Sequence, residues 1–141
     1  MHTRALVAVA ASLTALSIAS GTALAGGATQ NTVVPTASQK SAIMKAAGYN
    51  GPAKCYSIAL SASKRTLAGA QFNNKASGCT KYAFDGSALY YGNPGKTKWY
   101  QLQEGSSVDP TACSALKALV GVRAWQDLSG YAAGLGCQNV D

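Results

Sequence analysis

The spacing of apolar residues changes twice along this chain. From residue 38 they recur every three to four positions, with Ala42, Ile43, Ala46 and Ala47 on one stripe and Lys40 and Lys45 off it. That is the pattern of an amphipathic helix, opened by Ser38 and closed by Gly48. From Lys54 the period drops to two: Tyr56, Ile58 and Leu60 alternate with Cys55, Ser57 and Ala59, as in a half-buried strand. Residues 65–72 read as a second strand, weakened by Gly69. Residues 80–84, 87–92 and 97–104 read as three more. Asp85-Gly86 is the signature of a two-residue hairpin turn, and Asn93-Pro94-Gly95-Lys96 fits a type II turn. Helical spacing returns with Leu116, Leu119 and Val120, behind an Asp109 cap and Pro110 and ahead of Gly121. Residues 122–128 fit either a strand or a continued helix, and the Gly-rich end reads as a loop held by Cys137. The expectation is a small single α+β domain: an N-terminal helix, an antiparallel sheet of about five strands and a C-terminal helix.

The turns also assign faces. With Pro94 and Gly95 at the centre of one hairpin, Leu89 opposes Tyr100 and Tyr90 opposes Trp99. One face then collects Tyr82, Phe84, Leu89, Tyr91, Tyr100 and Leu102, the expected core. The other collects Tyr90, Trp99, Gln101 and Gln103, beside Lys81 and Lys98. If no helix covers it, this second face is a flat aromatic and amide surface, suited to stacking on sugars or anchoring a protein partner. A second helix laid over it would make the same residues core. A one-residue slip in either turn exchanges the sets. Trp125 with Arg123, near Tyr131, is a second candidate patch; its alternative is a core tryptophan.

Gly95-Lys96-Thr97 resembles the tail of a phosphate-binding loop. The glycine such a loop needs five positions before its Gly-Lys is Tyr90 here, and an alternating, aromatic stretch follows where a helix is required. The stretch is therefore a hairpin, not a nucleotide site.

The N-terminus changes the compartment. A basic start at Arg4, an apolar run over residues 5–20 and Ala23-Leu24-Ala25 form a secretory leader cut after Ala25. Residues 26–37 read as a flexible tail, and residues 38–141 as the secreted domain. In its sharper reading the tail docks on a partner by strand addition, with Val33 and Val34 as anchors. The Ala- and Gly-rich style is that of an exported bacterial protein.

All 4 cysteines follow the leader, and an even count in an exported chain reads as disulfides. Three pairings are open. The equal spacing within the first and last pairs favours Cys55–Cys79 and Cys113–Cys137. In a plain meander, however, Cys55 and Cys79 lie on strands separated by a third, too far for a bond. Either the loop after residue 72 folds back, the strand order is not sequential, or the pairing differs.

Charge and chemistry narrow the function. The chain carries a formal net charge of +7, with its cations scattered and no arginine-rich run. That favours acidic surfaces in general over specific nucleic-acid recognition. The 1 histidine, His2, leaves with the leader. Histidine-based catalysis and histidine-containing zinc sites go with it, and bonded cysteines leave no thiolate. Of the carboxylates, Asp85 suits a turn, Asp109 a cap and Glu104 a strand end; Asp127 alone lacks a structural role. The expected function is a secreted, non-catalytic protein-binding module, such as an inhibitor or an adaptor subunit of a larger secreted assembly such as a toxin complex. It needs no cofactor or metal, and its partner is an extracellular protein. The alternatives are a cell-wall or polysaccharide-binding protein, with an anionic polymer or glycan as ligand, and a small enzyme or toxin acting through carboxylates.

Overall fold

The computed structural model describes residues 30–93, 95 and 97–138. The expected leader, the start of the expected tail, Pro94 and Lys96, and the last three residues lie outside them. The elements run β1 (Thr32–Val33), α1 (Ala37–Ala47), β2 (Tyr56–Ser61), β3 (Leu67–Phe72), β4 (Ser87–Gly92), β5 (Trp99–Gly105), α2 (Pro110–Val120), α3 (Val122–Asp127) and α4 (Ser129–Gly134). The five strands form one antiparallel meander in the order β1-β2-β3-β4-β5. The protein is an α+β domain closed by two disulfides, Cys55–Cys79 and Cys113–Cys137.

Helices cover both sides of the sheet. Ile43 of α1 joins Tyr56, Ile58, Leu60, Ala68, Ala88, Tyr90 and Trp99 in one core. On the opposite face Leu67 and Leu89 pack with Leu116, Val120, Trp125, Leu128, Tyr131 and Leu135 from the C-terminal helices. A strand between two helical layers is buried along its whole length. Hence Leu67 to Ala70 in β3 and Ser87 to Tyr90 in β4 are all buried. The small residues of β3 follow from that packing: the Tyr131 ring lies on Gly69, where a Cβ would fall inside it. The glycine that weakens the sequence pattern is therefore what admits Tyr131.

The structure corrects several expectations. Residues 30–37 are not a free tail. Thr32 and Val33 pair with Ser61 and Leu60, so the strand addition expected of Val33 and Val34 occurs within the chain. Val33 is half-buried, while Val34 remains 87% exposed. The helix begins at Ala37, with Thr36 as its cap rather than opening at Ser38. The Thr36 side chain accepts from the Gln39 N–H, and Gln39 bonds back to the Thr36 N–H. Gly48 closes it in the left-handed region, as expected.

Residues 80–84 are not a strand. Residues 80–82 form a single 3-10 turn, and β1 is the fifth strand instead. The disulfide explains this. The chain after β3 turns back over the sheet's end, where Asn73 donates from its N–H to the Cys55 carbonyl and from its amide to the Lys54 carbonyl. Cys79 thereby reaches Cys55, and a meander becomes compatible with the bond. Asp85-Gly86 is accordingly no hairpin: Gly86 has φ +73 and packs against the Gly105 backbone, with no room for a Cβ.

At the other end, the expected loop is helical. Residues 122–128 are α3 with the start of a turn, and α4 follows to Gly134. Leu119, expected on the buried stripe of α2, is 63% exposed. Gly121 ends α2 early enough for the chain to bend, so α3 supplies the rest of that core through Ala124 and Trp125.

Candidate functional site

The β4–β5 hairpin holds most of the predicted site. Observed pairs are Gly92 with Trp99, Tyr91 with Tyr100 and Tyr90 with Gln101. The register is displaced by two residues from the expected one, so Tyr90, Trp99 and Gln101 still share a face. Beyond the irregularity after Leu89, Leu89 pairs with Gln103, which moves Gln103 to the other face.

The aromatic surface expected from Tyr90 and Trp99 is core. Tyr90 is 0% exposed and Trp99 5%, both in the cluster that α1 covers. The cause is that helices occupy both faces of the sheet. Tyr90 donates a 3.1 Å hydrogen bond to the Tyr49 hydroxyl in the segment after α1. Burial pushes the Tyr90 phenol up to about 12, with the Glu104 charge adding to it and the Tyr49 bond opposing it. Burial, then the Tyr90 bond, hold Tyr49 still further above its ordinary value. Tyr49 also stacks on Tyr56 at 4.6 Å and on Phe84 at 4.8 Å. These rings glue the connectors to the sheet's end.

Gln101 and Lys98 are exposed, as the surface reading requires. The exposed aromatic residues beside them are ones expected in the core: Tyr100 at 57% and Tyr91 at 40%. They lie on the face of the C-terminal helices, but beyond the reach of those helices. No pattern in the sequence marks where a covering helix stops, and the pair was missed for that reason.

Strand β5 is the last of the sheet, and its seven residues have no strand on their outer side among the described residues. Asn93 donates from its N–H to the Lys98 carbonyl, which marks that pair as hydrogen-bonded. Alternation then turns the N–H and C=O of Gln101 outward. The outer edge therefore presents the Gln101 backbone, with the Tyr100 side chain on one face and the Gln101 side chain on the other. Lys98 stands at its start.

Asp127, the carboxylate without a role in the sequence, has one in the structure. It is 7% exposed. Its Oδ2 accepts from Ser61 Oγ at 2.6 Å, from Ser63 N at 2.8 Å and from Ser63 Oγ at 2.6 Å. Burial alone would raise its pKa; these bonds outweigh it and hold the carboxyl below its ordinary 3.8. Asp127 thus ties α3 to the β2–β3 turn. Asp109 caps α2 by accepting from the Thr111 N–H, and Asp85 accepts from the Ser106 hydroxyl. Trp125 is 7% exposed and core, so the patch expected around it reduces to exposed Arg123.

Among the described residues no cluster of three metal-ligating side chains occurs, and no helix is long and apolar enough to cross a membrane. No family model matches the chain, and no curated protein or solved structure matches it.

Proposed function

We propose that the protein is a secreted, non-catalytic binding module that takes up an extended segment of an extracellular partner protein along the outer edge of β5. The observation that carries this reading is the open edge itself. The Gln101 N–H and C=O on that edge can be complemented by another extended backbone laid beside β5. Tyr100, Tyr91 and Gln101 would supply side-chain contacts on its two faces, and Lys98 favours an acidic residue at that end of the segment.

A second copy of the chain is a poorer occupant. The irregularity between Leu89 and Tyr90 bends β5 near its middle, which interrupts a symmetric β5–β5 ladder, and each leader-free copy brings a net charge of +6, the +7 of the whole chain less Arg4. Asp127, Asp109 and Asp85 each make an internal bond, which favours the binding reading over a carboxylate-based enzyme. Two disulfides accord with an oxidising, extracellular compartment.

The test is capture of partners from culture fluid by the tagged, leader-free protein and by Gln101→Pro, which removes one outward N–H. Proline is tolerated on an edge strand when its N–H would face outward, so the fold should persist, as checked by circular dichroism. A stoichiometric protein held by the wild type and lost from both Gln101→Pro and Tyr100→Ala is expected. Equal capture by all three would rule out the edge. A second reading, adsorption to an anionic cell-wall polymer, is favoured by the charge; it predicts salt-sensitive sedimentation with purified walls that Gln101→Pro leaves intact.

A further inference from the structure

The outer side of α1 forms one wall of a groove of about 540 Å³, and the segment from Tyr49 to Ala53 forms the other. We propose that this groove binds an amphiphilic anion, a carboxylate or sulfonate carried on an apolar body. The site is independent of the β5 edge.

The groove exists because the residues facing it are small. Ala37, Ser41 and Gly48 on the helix and Ala53 opposite leave space that larger side chains would fill. Its volume lies within the ~300–1,000 Å³ of sites that hold small ligands. Its lining is divided. Ala37, Met44 and Ala53 are apolar. Tyr49 also lines it, with its hydroxyl engaged by Tyr90 and its ring stacked on Tyr56 and Phe84. Lys40 and Lys45 are the charged residues of the lining, and no described carboxylate shares it.

The two lysines are not equivalent. Lys45 is exposed and free to swing over a ligand. Lys40 is fixed: its ammonium donates to the Tyr56 carbonyl at 3.0 Å, and it is half-buried. A lysine donates three hydrogen bonds, so an anion can take another, at a charge that has already lost part of its hydration. Burial lowers the Lys40 pKa, in keeping with a cation that an arriving anion would compensate. An apolar body on Ala37, Met44 and Ala53, with its anionic head at Lys40 and Lys45, satisfies both parts of the lining. A purely polar anion would leave the apolar part unused, and a neutral amphiphile would leave the lysines unused.

The test uses anilinonaphthalene sulfonate fluorescence with the leader-free protein, and displacement by dodecanoate or by uncharged dodecanol. Saturable binding at one site is expected, reversed by dodecanoate and not by dodecanol. Lys45→Gln, at an exposed position, should weaken it about tenfold, the loss of one charge-assisted bond. Ser41→Trp, also exposed, should fill the groove and abolish binding while the far-ultraviolet circular dichroism stays that of the wild type. Equal displacement by dodecanol, or unchanged binding to Ser41→Trp, overturns the proposal. Displacement by a glutamate-rich peptide but not by dodecanoate overturns it in favour of a peptide groove. None of these outcomes bears on Gln101→Pro, so this site and the β5 edge stand or fall separately.

Discussion

Replacing Asp127 tests the packing of the C-terminal helices on the sheet. In Asp127→Ala the hydroxyl of Ser61, which is 0% exposed, and both donors of Ser63 lose their shared acceptor. Hydrogen bonds to a charged group contribute roughly 1.5–3 kcal/mol each. Three such bonds to one oxygen do not add, and Ser63 is exposed enough to be rehydrated. The loss should therefore be about 3 kcal/mol, or roughly 10–15 °C in the midpoint of a domain this size.

Asp127→Asn keeps an acceptor oxygen and loses the charge, so it should lose about half as much. The pH dependence follows from the sign of the shift. The folded carboxyl lies below the 3.8 of the unfolded chain. Its stabilisation is therefore fully present above that unfolded value and is lost as pH falls through the lower folded value. Thermal and urea melts by circular dichroism near neutrality and near pH ~2 measure both effects. The gap between wild type and Asp127→Asn should narrow in acid. A variant as stable as the wild type at neutral pH, or a gap that does not narrow, refutes the assigned role.

Three further outcomes are expected. Gly69→Ala places a methyl group inside the Tyr131 ring and should cost about 1–3 kcal/mol or more, read from urea midpoints. Trp99→Ala should cost about 3–5 kcal/mol as a core truncation, whereas Tyr100→Ala should stay within about 0.5 kcal/mol; similar losses in the two would contradict the burial assigned to them. Replacing Cys113 and Cys137 together by serine should cost about 2–5 kcal/mol in the same melts, since the bond closes the helical layer on itself.

The helices α1 and α2 were legible because their caps are local chemistry: Gly48, Asp109-Pro110 and Gly121 act within one turn. The β4–β5 pair was legible through the alternation of Tyr90 to Gly92 and Trp99 to Gln101, but its register lies two residues from the one that a turn centred on Pro94 and Gly95 implies. The disulfide pairing was favoured by spacing, and the folding-back of the loop after Phe72 resolved its conflict with the strand order. What escaped the sequence is set by distant neighbours. Thr32-Val33 has too few residues to show a period, and its partner is β2. Thr80 to Phe84 alternates like a strand, yet the bond to Cys55 draws that segment off the sheet. Tyr90 and Tyr91 are adjacent and chemically identical; only the extents of the covering helices decide that one is core and the other exposed. The same holds for Leu119, left outside when Gly121 bends the chain. Asp127 had no local partner because its donors, Ser61 and Ser63, come from a turn more than sixty residues earlier.

The open edge of β5 carries the functional account, and amide hydrogen exchange reads it directly. With the captured partner added to the leader-free protein, the outward N–H of Gln101 should slow at least about tenfold, as it gains a strand to bond to. If the partner binds at saturation while that amide exchanges as fast as in the free protein, recognition lies elsewhere and the account is wrong.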